Sequence, residues 1–214
     1  MATPTRRTQA SRADRRARME RDLLEATERL MNDGATFTEL SIDRLASEAG
    51  LSRATFYVYF EDKADLLRRL AAQVLGELAA QRWWSVAARG DAGNLSDAGD
   101  LRDSCEAIVA RYREHQVLIG AAVEMAAYTP DIAAWYRDLI GEIVAGFEDV
   151  IRRGQAAGTI RASLPAHATA TSLVWMVERT CVQVLPHSPV EDDAELARSF
   201  SQIIWSTLYL AEPD

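Results

Sequence analysis

The chain has 214 residues, 48% of them hydrophobic, with 24 Lys and Arg against 32 Asp and Glu for a net charge of −8. That length exceeds one average domain and the apolar fraction is ample for a core, while no apolar run approaches the ~18 residues of a membrane span. The arginine-rich start lacks the apolar stretch of a secretory signal, and Cys105 and Cys181 stand at no metal-ligand spacing, so a reduced, cytoplasmic protein without metal or cofactor is the expectation.

The acidity is unevenly placed. Residues 1–70 hold 13 Lys and Arg and 12 Asp and Glu, whereas residues 71–214 hold 11 and 20. A whole-molecule affinity for nucleic acid is disfavoured by the net charge, but the first third of the chain is neutral to slightly basic. Arg6, Arg7, Arg12, Arg15, Arg16, Arg18 and Arg21 crowd its start. Residues 1–14 read as a flexible arm with two open uses: reaching phosphates or a minor groove, or solubilising the protein.

A first helix is expected from about Arg15 to Asn32, with Met19, Leu23, Ala26, Thr27 and Leu30 on its inner face and Gly34 past its end. The most informative stretch follows, from Ser41 to Leu67. Ser41 is a plausible N-cap for a short helix with Ile42, Leu45, Ala46 and Ala49 at helical spacing. Gly50 supplies the backbone freedom of a sharp turn. Ser52 caps a second short helix whose Phe56 and Phe60 face inward. Its other face is expected to carry Arg53, Thr55, Tyr57 and Tyr59, all donors suited to phosphates and base edges. Asp62 caps a third helix with Lys63 in its first turn, where a cation is unfavourable unless an anion lies nearby. This order of elements is a helix-turn-helix, the device that sets one helix in the DNA major groove.

Over roughly residues 19–67 the run resembles the N-terminal domain of the TetR family of transcriptional regulators, on Ile42, Leu45, Ala46, Ala49, Gly50, Ser52, Thr55, Tyr57, Phe60, Lys63 and the Leu66–Leu67 pair. The resemblance implies DNA contacts at Thr55, Tyr57 and Lys63. It departs from the commonest pattern at Ala54, where glycine often sits, and at Phe56, where leucine is usual. The DNA-facing set expected from residues and resemblance together is Ser41, Arg44, Ser52, Arg53, Thr55, Tyr57, Tyr59 and Lys63. Arg53 is the expected base reader, because arginine pairs well with guanine, and Ser41, Ser52 and Lys63 hold the DNA backbone.

Beyond residues 15–62, the expected reader, every substantial segment has helical period. A long helix from Lys63 to about Trp84 carries Leu66, Leu67, Leu70, Val74 and Leu78, and residues 89–100 read as an exposed loop. Leu101, Cys105, Ile108, Val109 and Tyr112 line the next helix, and Val117 to Ala127 form a short apolar one. Pro130 opens a helix ending near Gly158, Pro165 another continuing to about Val184, and the last ends near Leu210. Strand-like alternation is missing. The expected fold is all-α: a three-helix reader followed by a larger helical ligand-binding and dimerisation domain at 63–214.

Two readings of the last two helices stand side by side. Ala168, Thr171, Trp175, Glu178 and Val182 on one, and Phe200, Ile203, Ile204, Thr207 and Leu208 on the other, either complete a monomeric core or pack against a second copy as a four-helix bundle. The resemblance favours the homodimer, whose two recognition helices would read a palindromic operator with half-sites ~34 Å apart.

The C-terminal region also resembles the ligand domain of the ethionamide-resistance repressor branch of the same family, on Leu164-Pro165-Ala166-His167, Glu178-Arg179-Thr180 and Ile204-Trp205. That resemblance implies an elongated, mainly apolar pocket, with Val174 and Val177 where the branch has two asparagines. The expected lining is Ile108, Tyr112, Met125, Leu139, Ile143, Val174, Val177 and Trp205, each of which read alone is ordinary core. His115, His167 and His187 share no metal motif. Glu191, Asp192, Asp193 and Glu195 are either first-turn acids complementing a helix dipole or a Mg²⁺ cluster. No phosphate loop or nucleophile elbow is present. The expectation is a ligand-responsive DNA-binding regulator released from its operator by a small apolar effector, and not an enzyme. The alternative is a helical small-molecule-binding protein or enzyme that does not act on DNA.

Overall fold

The computed structural model describes residues 6–80 and 98–209, and among these no strand occurs. Nine helices carry them: α1 (Arg6–Asn32), α2 (Ile42–Glu48), α3 (Arg53–Tyr59), α4 (Lys63–Ala80), α5 (Ala98–Glu114), α6 (Gln116–Ala126), α7 (Pro130–Ala157), α8 (Ala166–Val184) and α9 (Asp193–Leu208). No described helix is long and apolar enough to cross a membrane. The expected end of α4 at Trp84 and most of the expected loop 89–100 lie outside the described residues.

Helix α1 starts at Arg6, earlier than the expected Arg15, and takes in most of the stretch read as an arm. The physical reason lies in its composition: Arg6 to Arg18 contains neither glycine nor proline and is rich in arginine and alanine, which favour helix. The helix closes at Gly34, whose φ of 98° suits a residue without Cβ.

The chain divides into two compact units after Ala71, within α4. In the first, Leu23, Ala26, Leu30, Phe37, Leu40, Leu45, Phe56, Phe60, Leu66, Leu67 and Leu70 are buried. Serines open both short helices with the same backbone geometry, φ −80° and ψ 154°. The Ser41 hydroxyl accepts the Arg44 N–H at 3.2 Å, and Ser52 accepts that of Thr55 at 3.0 Å. Between them Gly50 sits at φ +69° and Leu51 N–H donates to the Ala46 carbonyl at 2.7 Å. That bond closes α2 and sets the exit direction toward α3.

In the second unit α9 lies along α5, and α7 packs on α6 and α8. The inner stripes are Leu101, Cys105, Ile108, Val109 and Tyr112 on α5 and Ile132, Tyr136, Ile140, Val144, Phe147, Val150 and Ile151 on α7. Burial pushes the Cys105 thiol up to about 12, so it stays protonated. Glycine matters at Gly154, where a Cβ would come within 2.5 Å of Ile160 Cδ1. A guanidinium pins the connection between the last two helices. Arg113 on α5 holds both oxygens of Asp193, at 2.6 and 3.0 Å, and also reaches Ser188 Oγ at 3.2 Å and the Leu185 carbonyl.

Two choices left open by the sequence narrow here. Phe200, Ile204, Leu208 and Glu178, which fitted either a core or a partner face, are buried inside the unit. Each lies on the stripe that α8 or α9 turns toward its own core, leaving Ala168, Thr171, Trp175, Val182, Ile203 and Thr207 exposed or half-buried. Asp193, one candidate for Mg²⁺, instead receives Arg113, and among the described residues no group of three metal-ligating side chains stands close enough to hold an ion.

Candidate nucleic-acid interface and ligand cavity

Helix α3 is held by Phe56 and Phe60, both buried with rings 5.2 Å apart. At 100° per residue, that anchor turns Ala54 and Val58 outward, with Arg53 and Tyr57 together along one flank. All four are exposed, Val58 most of all at 75% and Tyr57 at 47%. Thr55 and Tyr59 are half-buried along the other flank, not on the outer face where the sequence reading set them. The Thr55 hydroxyl meets Ser52 Oγ at 2.8 Å, inside the capping turn. Val58 was missed because the sequence reading sought hydrogen-bond donors; the spacing of the phenylalanines already contained the signal.

Arg53 is held in place from two sides. It pairs with the Asp43 carboxylate of α2, and its Cζ stands 5.5 Å from the centre of the Tyr57 ring, with Nη2 3.4 Å from the Tyr57 hydroxyl. Ser41, Arg44, Ser52 and Arg53 are all exposed around this face. A helix presenting a guanidinium, a phenol and two small apolar groups can read base edges by hydrogen bonds and thymine methyls by contact.

Lys63 is tied within its own unit. Its ammonium donates to the carbonyls of Phe37, Thr38 and Leu40 at 3.0, 2.7 and 3.0 Å. An ammonium has three protons, and all three are used within the protein. The carbonyl dipoles at the end of the α1–α2 connection offset the cation at the α4 start, so Lys63 serves as a structural tie within the first unit.

The second unit contains a cavity of about 40 Å³ between α5, α7 and α8, lined by Ile108, Tyr112, Ile140, Ile143, Val174, Val177 and Glu178. It brings together five of the expected lining residues: Ile108, Tyr112, Ile143, Val174 and Val177. Met125, Leu139 and Trp205 do not line it. The α7 register buries Tyr136, Ile140 and Val144 and leaves Leu139 half-buried, Met125 is half-buried near the end of α6, and Trp205 stacks on Tyr209 at 4.3 Å. Two polar residues outside the expected lining meet beside this cavity. Tyr136 donates to Glu178 Oε1 at 2.6 Å, and Glu178 is only 2% exposed. Burial, reinforced by the neighbouring groups, pushes the Tyr112 and Tyr136 phenols far above their ordinary range, so both keep their protons.

Residues 23–70 match the family model of bacterial regulatory proteins of the tetR family, and residues 101–209, half of the chain, match that of the C-terminal domain of the transcriptional regulator EthR. The chain belongs to the TetR family. This TetR-family regulator is 29% identical over 160 residues to the HTH-type transcriptional regulator EthR of Mycobacterium tuberculosis, covering 74% of this chain and 71% of the relative. It is 27% identical over 186 residues to EthR of Mycolicibacterium smegmatis, covering 86% and 83%. Among solved structures it superposes on the TetR-family regulator PfmR of Thermus thermophilus with a TM-score of 0.64 at 21% identity, over 86% of this chain and 96% of that one. The tetR-family match lies within the first unit and the EthR C-terminal-domain match within the second.

Proposed function

We propose that the protein is a ligand-responsive repressor that acts as a homodimer on a palindromic operator. The observation carrying the DNA half is the outer face of α3, where Arg53, Tyr57 and Val58 stand clear of the core on a helix fixed by two buried phenylalanines. Arg53 reads a guanine and Val58 a thymine methyl; Ser41, Arg44, Ser52 and Tyr57 hold phosphates, and Thr55 and Tyr59 border them. The half-buried side chains of Thr171, Trp175, Val182 and Thr207, with the exposed Ile203, support dimerisation through α8 and α9. Such a regulator works where the DNA is, in the cytoplasm.

The cavity supports the ligand half. It is smaller than the engineered cavity of about 150 Å³ that takes up benzene. A largely apolar effector must therefore part α5, α7 and α8 as it enters. Helix α4 runs from the first unit into the second, so a shift of its second half reaches the reader and alters the spacing of the paired recognition helices. Release follows only if the effector binds the DNA-incompetent state more tightly.

Gel-shift titration against the DNA flanking its own gene, at several salt concentrations, tests the first half. A salt-dependent, competitor-resistant complex is expected, and its absence would favour a helical small-molecule-binding protein without a DNA role. Val177→Trp, which fills the cavity, is expected to keep operator affinity and abolish effector release.

A further inference from the structure

The oxygens of Glu178 have unequal surroundings. Oε1 accepts from Tyr136 at 2.6 Å, whereas Oε2 is buried with no hydrogen-bond donor. The nearest cation, Arg179, stops at 3.6 Å, is half-exposed, and lies 6.0 Å from the Trp175 ring centre. The rest of the cavity wall is aliphatic apart from Tyr112. An acceptor left unpaired in such surroundings is costly, and a charged donor compensates it best.

We infer that the effector is an organic cation, an alkylammonium whose N–H donates to Glu178 Oε2 while its chain lies among Ile108, Ile140, Ile143, Val174 and Val177. This rests on the reading of the cavity as the effector site and adds the chemistry of the head group. The carboxylate rejects anionic ligands, because a like charge brought beside it in an apolar cavity is strongly repelled. The Tyr112 ring adds an aromatic wall of the kind that attracts ammonium groups. Among the described residues lining the cavity, Glu178 carries the one carboxylate. Val174 and Val177 offer no amide, so the charged contact available to a ligand on this wall is made by the side chain one position further along α8.

The test is calorimetric titration of the full-length protein with hexylamine, n-hexanol and hexanoate at neutral pH, repeated on Glu178→Gln and Val177→Trp. The expected result is hexylammonium binding at least about thirtyfold tighter than the alcohol, the scale of a buried charge pair, with no binding of hexanoate. Glu178→Gln should remove the preference and Val177→Trp should remove binding. If hexanol binds as well as hexylammonium, and Val177→Trp blocks both, the cavity reading stands and the cation inference fails. If none of the three binds, or Val177→Trp leaves amine binding intact, the cavity reading itself fails and takes the inference with it. The wild-type comparison decides between amine and alcohol even if Glu178→Gln does not fold.

Discussion

The Lys63 ammonium donates to the Thr38 carbonyl at 2.7 Å, tying the first turn of α4 to the end of the α1–α2 connection. With Phe37 and Leu40 completing its coordination, Lys63→Met leaves three carbonyls without their donor. A loss of about 1–3 kcal/mol in stability is expected. The slope of log affinity against log salt should not change, because no phosphate contact has been lost. Urea denaturation and salt-titrated operator binding read the two effects separately. A slope reduced by about one phosphate with unchanged stability would reverse the assignment.

In the proposed reading of α3, Asp43 competes with DNA for Arg53. The pair is exposed on both sides, so it contributes little to stability. Asp43→Asn is expected to leave the melting temperature nearly unchanged and to tighten operator binding, since the guanidinium no longer has to leave a carboxylate. Arg53→Ala should cost about 1–3 kcal/mol and relax discrimination at one base pair. Operator libraries bound by the two variants provide the measurement.

Gly154→Ala should destabilise the second unit by about 1–3 kcal/mol. The added methyl meets Ile160, whose own backbone N–H is bonded to the Gly154 carbonyl at 3.2 Å and so cannot easily withdraw. Ile160→Val in the same chain should recover part of the loss. Thermal unfolding of the single and double variants checks both statements.

Acid stability has a local source in Asp65. Burial works to raise its pKa, but hydrogen bonds from Arg69 and Arg68, at 3.1 and 2.5 Å, and from the Glu61 N–H hold it below the ordinary value. An unfolded aspartate titrates near about 3.9. The folded state therefore binds this proton less readily, and the resulting stability is complete above that pH and lost as pH falls through the lower folded pKa. Asp65→Asn should flatten the acid limb of stability against pH; urea midpoints between neutrality and about pH 3 would show it.

The all-α fold, the serine caps and the Gly50 turn were legible because local chemistry dictates them: a hydroxyl before an apolar stripe, and a residue without Cβ where φ is positive. The carbonyl partners of Lys63 lay beyond the sequence for a related reason. Sequence shows that a cation at a helix start needs an anionic neighbour, but not that a loop about two dozen residues earlier would supply carbonyls. The α9 stripe of Phe200, Ile204 and Leu208 has a period that fits a core face and a partner face equally, and packing along α5 alone chose between them. Glu178 could be read from the sequence as either a buried or an interfacial polar group; its burial is accompanied by the Tyr136 hydroxyl, which a different helix contributes.

Helices α2 and α3 are each seven residues long. At that length the cost of nucleating the first turn is not recovered, and neither would persist by itself in water. A synthetic peptide spanning Ser52 to Phe60 should thus be unstructured, and grafting the α3 outer face onto another scaffold will work only if the two phenylalanines find an equivalent socket there.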